Sequence, residues 1–107
     1  MERGNIRVVA RVTARPDKVE ELKHLLATLV EPTRQESGCL SYDLLQGTAD
    51  DRDFTFVEQW IDQTAIDRHM QSAHVQEVLA LVSELTAAQP DIRCYRCIEQ
   101  EMPTARR

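Results

Sequence analysis

The chain has 107 residues and a formal net charge of −5. A chain of this length forms one domain, and as a monomer it buries only about two-thirds of its unfolded surface. The acidic balance, without a Lys/Arg cluster, argues against nucleic-acid binding, and no apolar run approaches the ~20 residues of a membrane span. No apolar core follows residues 1–4, so we expect no signal peptide and a cytoplasmic protein.

Apolar periodicity and turn residues predict seven elements. In chain order they are strand 6–14, helix 17–36, strand 39–46, strand 53–61, helices 62–70 and 72–89, and strand 91–99. Asp17 and Glu20 have the spacing of a capping box at the start of the first helix, which Pro32 should kink. Asp62 and Ser72 are the predicted N-caps of the two later helices.

The element order β-α-β-β-α-β is that of the split βαβ, ferredoxin-like arrangement in the α+β class. Right-handed crossovers place the first and third strands at the centre of a four-stranded antiparallel sheet, with the helices on one face. We expect one domain over residues 1–107, with a folded core of about 6–99 and a polar C-terminal tail of 100–107.

The two faces of the predicted sheet differ in polarity. One face is overwhelmingly apolar and should pack under the helices. It carries Ile6, Val8, Ala10, Val12, Ala14, Leu40, Tyr42, Leu44, Phe54, Phe56, Glu58, Trp60, Ile92, Cys94, Arg96 and Ile98. The opposite face mixes apolar and charged residues, which favours a second sheet packed against it. A single bulge would exchange the two faces of a strand.

The three cysteines do not predict a disulfide framework. Cys94 and Cys97 have the spacing of a C-x-x-C motif, but they lie in a predicted strand. There, residues three apart point to opposite faces and sit ~10 Å apart, whereas a disulfide requires Cα atoms within roughly 7 Å. We therefore expect unpaired and unreactive thiols.

Polar side chains on the apolar face are the first candidate site residues. Glu58, Tyr42 and Arg96 fall there, with Phe56 and Trp60 beside them. A buried carboxylate is costly unless it is paired or neutralised. Two interpretations stay open: a pocket in which Glu58 has a perturbed pKa, or an internal Glu58–Arg96 ion pair. Trp60 is either a wall against which a planar substrate stacks or a core aromatic residue.

His69 and His74 are candidate bases, because imidazole titrates near neutral pH. The alternative for each is a hydrogen bond to the backbone, and His24 is expected at the surface. The two candidates are five residues apart and no acidic residue completes a metal triad with them, so we expect no metal. The three glycines form no nucleotide-binding motif, so we expect no cofactor.

Four segments resemble the antibiotic-biosynthesis monooxygenase family of dimeric α+β-barrel proteins, which includes quinol monooxygenases. They are 15–18 (RPDK), 31–34 (EPTR), 37–42 (SGCLSY) and 58–75, which contains EQW and HMQSAHV. The resemblance implies a homodimer in which two sheets face one another. Haem-degrading members place a His on the last helix, and residues 78–82 contain none, so we do not expect haem.

The resemblance also implies an activity: a cofactor-free monooxygenase that acts with O2 on a small electron-rich aromatic such as a quinol. The small-residue–His–apolar motif of the family favours His74 over His69 as the base. The remaining implied roles are stacking walls from Trp60 and Phe56 and orienting groups from Glu58, Tyr42 and Arg96. An isomerase using the same pocket and a non-catalytic dimeric binding module are the alternatives.

Overall fold

The computed structural model describes residues 6–98, and its elements follow the predicted order. They are β1 (Ile6–Thr13), α1 (Val19–Ala27), α2 (Val30–Arg34), β2 (Cys39–Gln46), β3 (Asp53–Trp60), α3 (Gln63–Met70), α4 (Ala73–Val82) and β4 (Asp91–Arg96). The strands form one open antiparallel sheet in the order β2-β3-β1-β4. The predicted ferredoxin-like α+β fold, with β1 and β3 central, is confirmed.

Some expectations cannot be compared with this structure. Those for residues 1–4, for the end of the last strand at Glu99 and for the tail at 100–107 lie outside the described residues. Within residues 6–98, none of the helices combines the length and the apolar character that a membrane crossing requires.

The first helix starts later than its sequence predicts. Its N-cap is Lys18, without a side-chain capping hydrogen bond, so the capping box of Asp17 and Glu20 is wrong. The backbone N–H of Lys18 donates to the Arg15 carbonyl at 3.0 Å, which closes a turn. Pro16 is the second residue of that turn, where proline is favoured, so Asp17 is part of the turn and the helix begins after it.

Pro32 divides the predicted first helix into α1 and α2 instead of only kinking it. The break lies at residues 28–29. Proline has no N–H to donate to the carbonyl of the residue four positions earlier, here Thr28, and its ring clashes with that carbonyl. At the break, the Thr28 hydroxyl donates to the Leu25 carbonyl at 2.6 Å.

The predicted caps of α3 and α4 are confirmed. The Asp62 carboxylate accepts a hydrogen bond from the Ala65 backbone N–H at 2.8 Å. The Ser72 hydroxyl accepts one from the Val75 backbone N–H at 3.4 Å. Each cap satisfies an N–H group that the first turn of the helix leaves without a partner.

The core lies between the helices and one face of the sheet, as the polarity of the strands predicts. The buried strand residues are Val8, Ala10, Val12, Tyr42, Phe54, Phe56, Glu58 and Trp60. β2 departs from its predicted pattern, because a bulge pairs Cys39 with Trp60 and Ser41 with Gln59. Leu40 is left 51 % exposed, and Cys39 packs against the core in its place.

The last strand also departs from the prediction. All six residues of β4 are exposed, including Ile92, Cys94 and Arg96, which the alternating pattern placed under the helices. β4 is an edge strand, paired only with β1, and the helices do not extend over it. Its inward side chains therefore border an open space.

Gly38 ends the segment that follows α2, as its position in the sequence predicts. Its φ of +91° lies in the left-handed region that glycine tolerates best. A Cβ atom at this position would come within 2.6 Å of the Ala65 Cβ atom on α3. Only glycine therefore allows the segment before β2 to pack this closely against α3.

Replacing Gly38 should destabilise the fold. We expect Gly38→Ala to lower the free energy of unfolding by roughly 1–3 kcal/mol or more, because strain at positive φ adds to the contact with Ala65. Urea denaturation monitored by circular dichroism measures this change. Ser37→Ala, at the exposed neighbouring residue, is the control and should change stability little. Equal stability of the two variants would contradict the close packing.

Candidate functional site

A cavity of about 160 Å³ lies between the sheet and the helices. Its wall is almost entirely apolar and includes residues of β1, α1, α3 and α4. Tyr42, Glu58 and His69 contribute the polar side chains on its inner wall. Leu79, Ile92 and Cys94 also line the cavity and are exposed, so the cavity reaches solvent on the β4 side.

His69 projects from the last turn of α3 into the wall of this cavity and is 4 % exposed. Its ring centre lies 4.8 Å from that of Trp60 and 5.6 Å from that of Tyr42, in tilted and edge-on arrangements. Contacts of this kind on two sides hold the imidazole in one orientation. The structure therefore presents a fixed imidazole to the cavity.

The ring of His69 is connected to a carboxylate that the sequence analysis did not select. His69 Nδ1 lies 2.9 Å from Glu36 Oε2, and His74 Nε2 lies 2.5 Å from the same oxygen. We call these three residues the Glu36–His69–His74 cluster. Only His69 of the three lines the cavity; the side chains of Glu36 and His74 are 16 % and 26 % exposed. The expectation that no acidic residue joins the two histidines is wrong.

The short connection between α3 and α4 brings the two histidines together. The Ser72 hydroxyl donates to the His69 carbonyl at 2.6 Å and also caps α4. One side chain therefore fixes the end of the helix that carries His69 and the start of the helix that carries His74.

Glu36 had one signal in the sequence that could have identified it. It follows the C-terminal end of α2, and its carbonyl accepts the Cys39 N–H at 3.2 Å. An acidic side chain is unfavourable at the negative end of a helix dipole. A glutamate at this position, two residues before Gly38, indicates a partner elsewhere in the fold, and that partner is the pair of imidazoles.

Glu58 is the second titratable group on the cavity wall. Burial raises the pKa of its carboxyl to about 7, the Trp60 indole N–H that donates to it at 2.8 Å opposes the rise, and the charge of Glu36 adds to it. Glu58 is therefore poised between its acid and its base forms near neutral pH. Arg96, the other member of the alternative ion pair, lies on the exposed edge strand β4. The Glu58–Arg96 ion pair stays a prediction.

Tyr42 and Cys39 keep their protons. Burial, with a contribution from the charge of Glu58, raises the pKa of the Tyr42 hydroxyl far above its usual range. Tyr42 therefore presents a neutral phenol to the cavity, and its ring packs on Phe56 with centres 5.0 Å apart. Burial and the charge of Glu36 raise the pKa of the Cys39 thiol to about 11, which leaves it a poor nucleophile.

The structure brings together part of the predicted site. Tyr42, Phe56, Glu58 and His69 line one cavity, as expected for a common pocket. Trp60 is fully buried behind His69 and Glu58, His74 lies behind His69, and Arg96 is on the exposed edge strand, so these three do not line it. The three cysteines are free, and Cys94 and Cys97 lie at the β4 edge.

Comparison with known proteins identifies the family. The profile of the antibiotic biosynthesis monooxygenase family matches residues 5–81. Because this match covers most of the 107 residues, the chain belongs to that family. The resemblance seen in the four short sequence segments is confirmed.

Individual relatives agree with this assignment. Uncharacterized protein sll1783 from Synechocystis sp. is 33 % identical over 94 residues, which are 88 % of this chain but 64 % of that protein. The chain thus spans less than two-thirds of that relative. Rv0793 from Mycobacterium tuberculosis, which is provisionally named a monooxygenase, is 39 % identical over 80 residues. These residues are 75 % of this chain and 78 % of Rv0793. The crystal structure of PA3566 from Pseudomonas aeruginosa has a TM-score of 0.84 and 34 % identity, and the match covers 91 % of this chain and 98 % of that one.

The raised pKa of Glu58 predicts how stability depends on pH. The folded-state pKa of about 7 exceeds the ordinary value of 4.5, so the folded state keeps a proton that the unfolded state releases in this window. The free energy of unfolding should therefore fall as pH rises from about 4.5 to 7 and then level off, a loss of roughly 3 kcal/mol.

Glu58→Gln should remove this part of the pH dependence, because the amide stays neutral at every pH. Urea denaturation at about pH 5 and about pH 8 checks the result. Glu77→Gln, an exposed change on α4, should keep the wild-type dependence. A Glu58→Gln curve parallel to that of the wild type would show that Glu58 titrates normally.

Proposed function

We propose that the protein is a cofactor-independent monooxygenase that oxidises a small electron-rich aromatic of the quinol type with O2. One observation carries the proposal: an apolar cavity whose wall holds an imidazole oriented by the Glu36 carboxylate. Family membership supports an oxygenase, and the chemistry of the cavity wall supports the class of substrate.

The size of the cavity supports a substrate with one ring. An apolar cavity of about 150 Å³ in another protein binds benzene, so about 160 Å³ suits a single aromatic ring with small substituents. Larger ring systems would have to extend past Ile92 and Cys94, where the wall is open. The apolar lining excludes water, which protects reactive oxygen intermediates from side reactions.

The chemistry begins with proton removal. Glu36 accepts a hydrogen bond from His69 Nδ1–H, which leaves Nε2 of the ring as a proton acceptor for a phenolic hydroxyl. The phenolate passes one electron to O2, and the aromatic radical and superoxide combine into a hydroperoxide. Loss of water then gives the product, so that one quinol and one O2 yield one hydroxyquinone and one water.

The other polar groups of the wall orient the substrate. The Tyr42 hydroxyl can donate to a substrate oxygen, and Glu58 can donate or accept because its pKa lies near neutrality. His74 is partly exposed and shares the Glu36 oxygen with His69. We therefore assign the role of the base to His69, and we propose that His74 exchanges protons with solvent. This assignment reverses the preference for His74 that the family motif suggested.

A second reaction class is favoured by one specific observation. Glu58 and His69 are two titratable groups on the same apolar wall, which is also the arrangement of a proton-transferring isomerase. An isomerase would turn over its substrate without consuming O2. A binding module would show a substrate-dependent rise in melting temperature with no turnover.

The catalytic assignment predicts an asymmetry between the two histidines. His69→Asn keeps a donor near the position of Nδ1 but removes Nε2, so the kcat for O2 consumption with a hydroquinone should fall by roughly 10²–10⁴-fold. His74→Gln keeps a donor to Glu36 and should cost less than roughly tenfold. Melting curves check that both variants fold. A larger loss in His74→Gln than in His69→Asn would return the base to His74.

We further propose that the chain forms a homodimer through the face of the sheet opposite the helices. Leu45, Val57 and Tyr95 on that face are 38–51 % exposed. Arg11 and Arg93 on the same face are each paired with an Asp of the same chain, which reduces the charge that an interface would bury. An apolar, charge-balanced face of this kind suits a second sheet packed on it.

The dimer proposal predicts a mass of about twice 12.3 kDa by size exclusion with light scattering. Val57→Asp should produce a monomer, because it places an unpaired charge in the interface. Leu81→Asp changes an exposed apolar residue of α4 in the same way and should leave the dimer intact. A monomeric wild type at micromolar concentration would rule out this interface.

A further inference from the structure

We propose that the Glu36–His69–His74 cluster is a binding site for a first-row divalent cation such as Zn²⁺. The cluster offers a carboxylate oxygen of Glu36, Nδ1 of His69 and Nε2 of His74. These ligand atoms all lie within 4.8 Å of one another. They come from the segment after α2, from α3 and from α4, so folding assembles the site.

The geometry lies close to that of a bound ion. Tetrahedral ligands about 2.0–2.2 Å from Zn²⁺ are about 3.3 Å from one another. Glu36 Oε2 is 2.9 Å from His69 Nδ1 and 2.5 Å from His74 Nε2. The two distances to Glu36 therefore need to lengthen by less than about 1 Å to admit the ion, and the two imidazole nitrogens already lie within 4.8 Å of each other. Glu36 and His74 are partly exposed, so solvent can supply the ion and its fourth ligand from the side away from the cavity.

The donor set selects the class of metal. Two imidazole nitrogens and one carboxylate oxygen suit Zn²⁺, Co²⁺, Ni²⁺ or Fe²⁺. Mg²⁺ and Ca²⁺ require mainly oxygen ligands and should bind poorly here. Three protein ligands with one position left for water is the pattern of an open site, in contrast to closed four-ligand structural zinc sites.

A cation at this site would oppose the proposed catalysis. A neutral imidazole that coordinates through Nδ1 carries its proton on Nε2, the nitrogen needed to accept the substrate proton. Bound metal would therefore switch off His69 as a base. This inhibitory consequence rests on the proposed monooxygenase function, whereas cation binding itself does not.

Isothermal titration of the tag-free 107-residue chain with Zn²⁺ tests the site, after dialysis against a chelator. We expect one ion per chain, no binding of Mg²⁺, and for Co²⁺ a visible absorption typical of nitrogen ligation. Glu36→Gln and His74→Ala should each weaken Zn²⁺ binding by roughly 100-fold or more. His24→Ala, which changes an exposed histidine of α1 outside the cluster, should leave the affinity unchanged.

Three results would overturn the cation site: no saturable binding of one Zn²⁺ per chain, unchanged affinity in both cluster variants, or loss of binding in His24→Ala. An O2-consumption assay with and without Zn²⁺ separates the two proposals. Zn²⁺ binding without hydroquinone turnover leaves the site standing and contradicts the proposed function. Turnover without Zn²⁺ binding does the reverse. Turnover that bound Zn²⁺ does not inhibit contradicts the inhibitory consequence, because His69 is then either not the base or not a ligand through Nδ1.

Discussion

The carboxylate of Glu36 is the constraint on which the rest of the site depends. It is hydrogen-bonded to the imidazoles of His69 on α3 and His74 on α4, and Glu36 itself lies in a third segment of the chain. A partly buried carboxylate is less costly when its oxygens are hydrogen-bonded, as this one is. The same contacts set the orientation of His69, which the cavity then exposes to a ligand. One oxygen atom therefore both joins three segments of the chain and orients the imidazole on the cavity wall.

Several local features position the Glu36 carboxylate. Pro32 ends α1 early, so α2 is a separate short helix, and Glu36 lies in the segment that follows it. Gly38 then lets the chain pass within contact of Ala65. Ser72 holds α3 and α4 at a fixed spacing. Pro32, Gly38 and Ser72 take no part in the proposed chemistry. Each restricts the backbone conformation of a segment that carries Glu36 or one of the two histidines.

The fold could be predicted from sequence because it follows from alternation and turn residues, which are local. The central strands, the sheet order and the caps at Asp62 and Ser72 are all of this kind. The failures have non-local causes. The bulge at Leu40 depends on how β2 meets β3, and the exposure of Ile92 depends on where α4 ends above the sheet.

The site was predicted in part for the same reason. Tyr42, Phe56 and Glu58 lie on the inward face of the sheet, and His69 lies on the inward face of α3. The periodicity of these regular elements is enough to place the four residues together. Glu36 lies in an irregular segment after a helix, where no periodicity applies. Glu36 is 33 residues from His69 in the sequence, and their contact depends on how the segment after α2 meets α3 in the folded chain.

Because the helices do not cover β4, the residues at the cavity opening are separate from the residues of the closed core. The opening and the core can therefore be changed independently. Ile92 and Cys94 border the cavity but contribute nothing to the closed core, because they are exposed and belong to an edge strand. Substitutions there can reshape the opening without leaving a void among the buried residues of β1 and β3. Variation at these two edge positions can therefore change which molecules fit the opening, with little cost to folding.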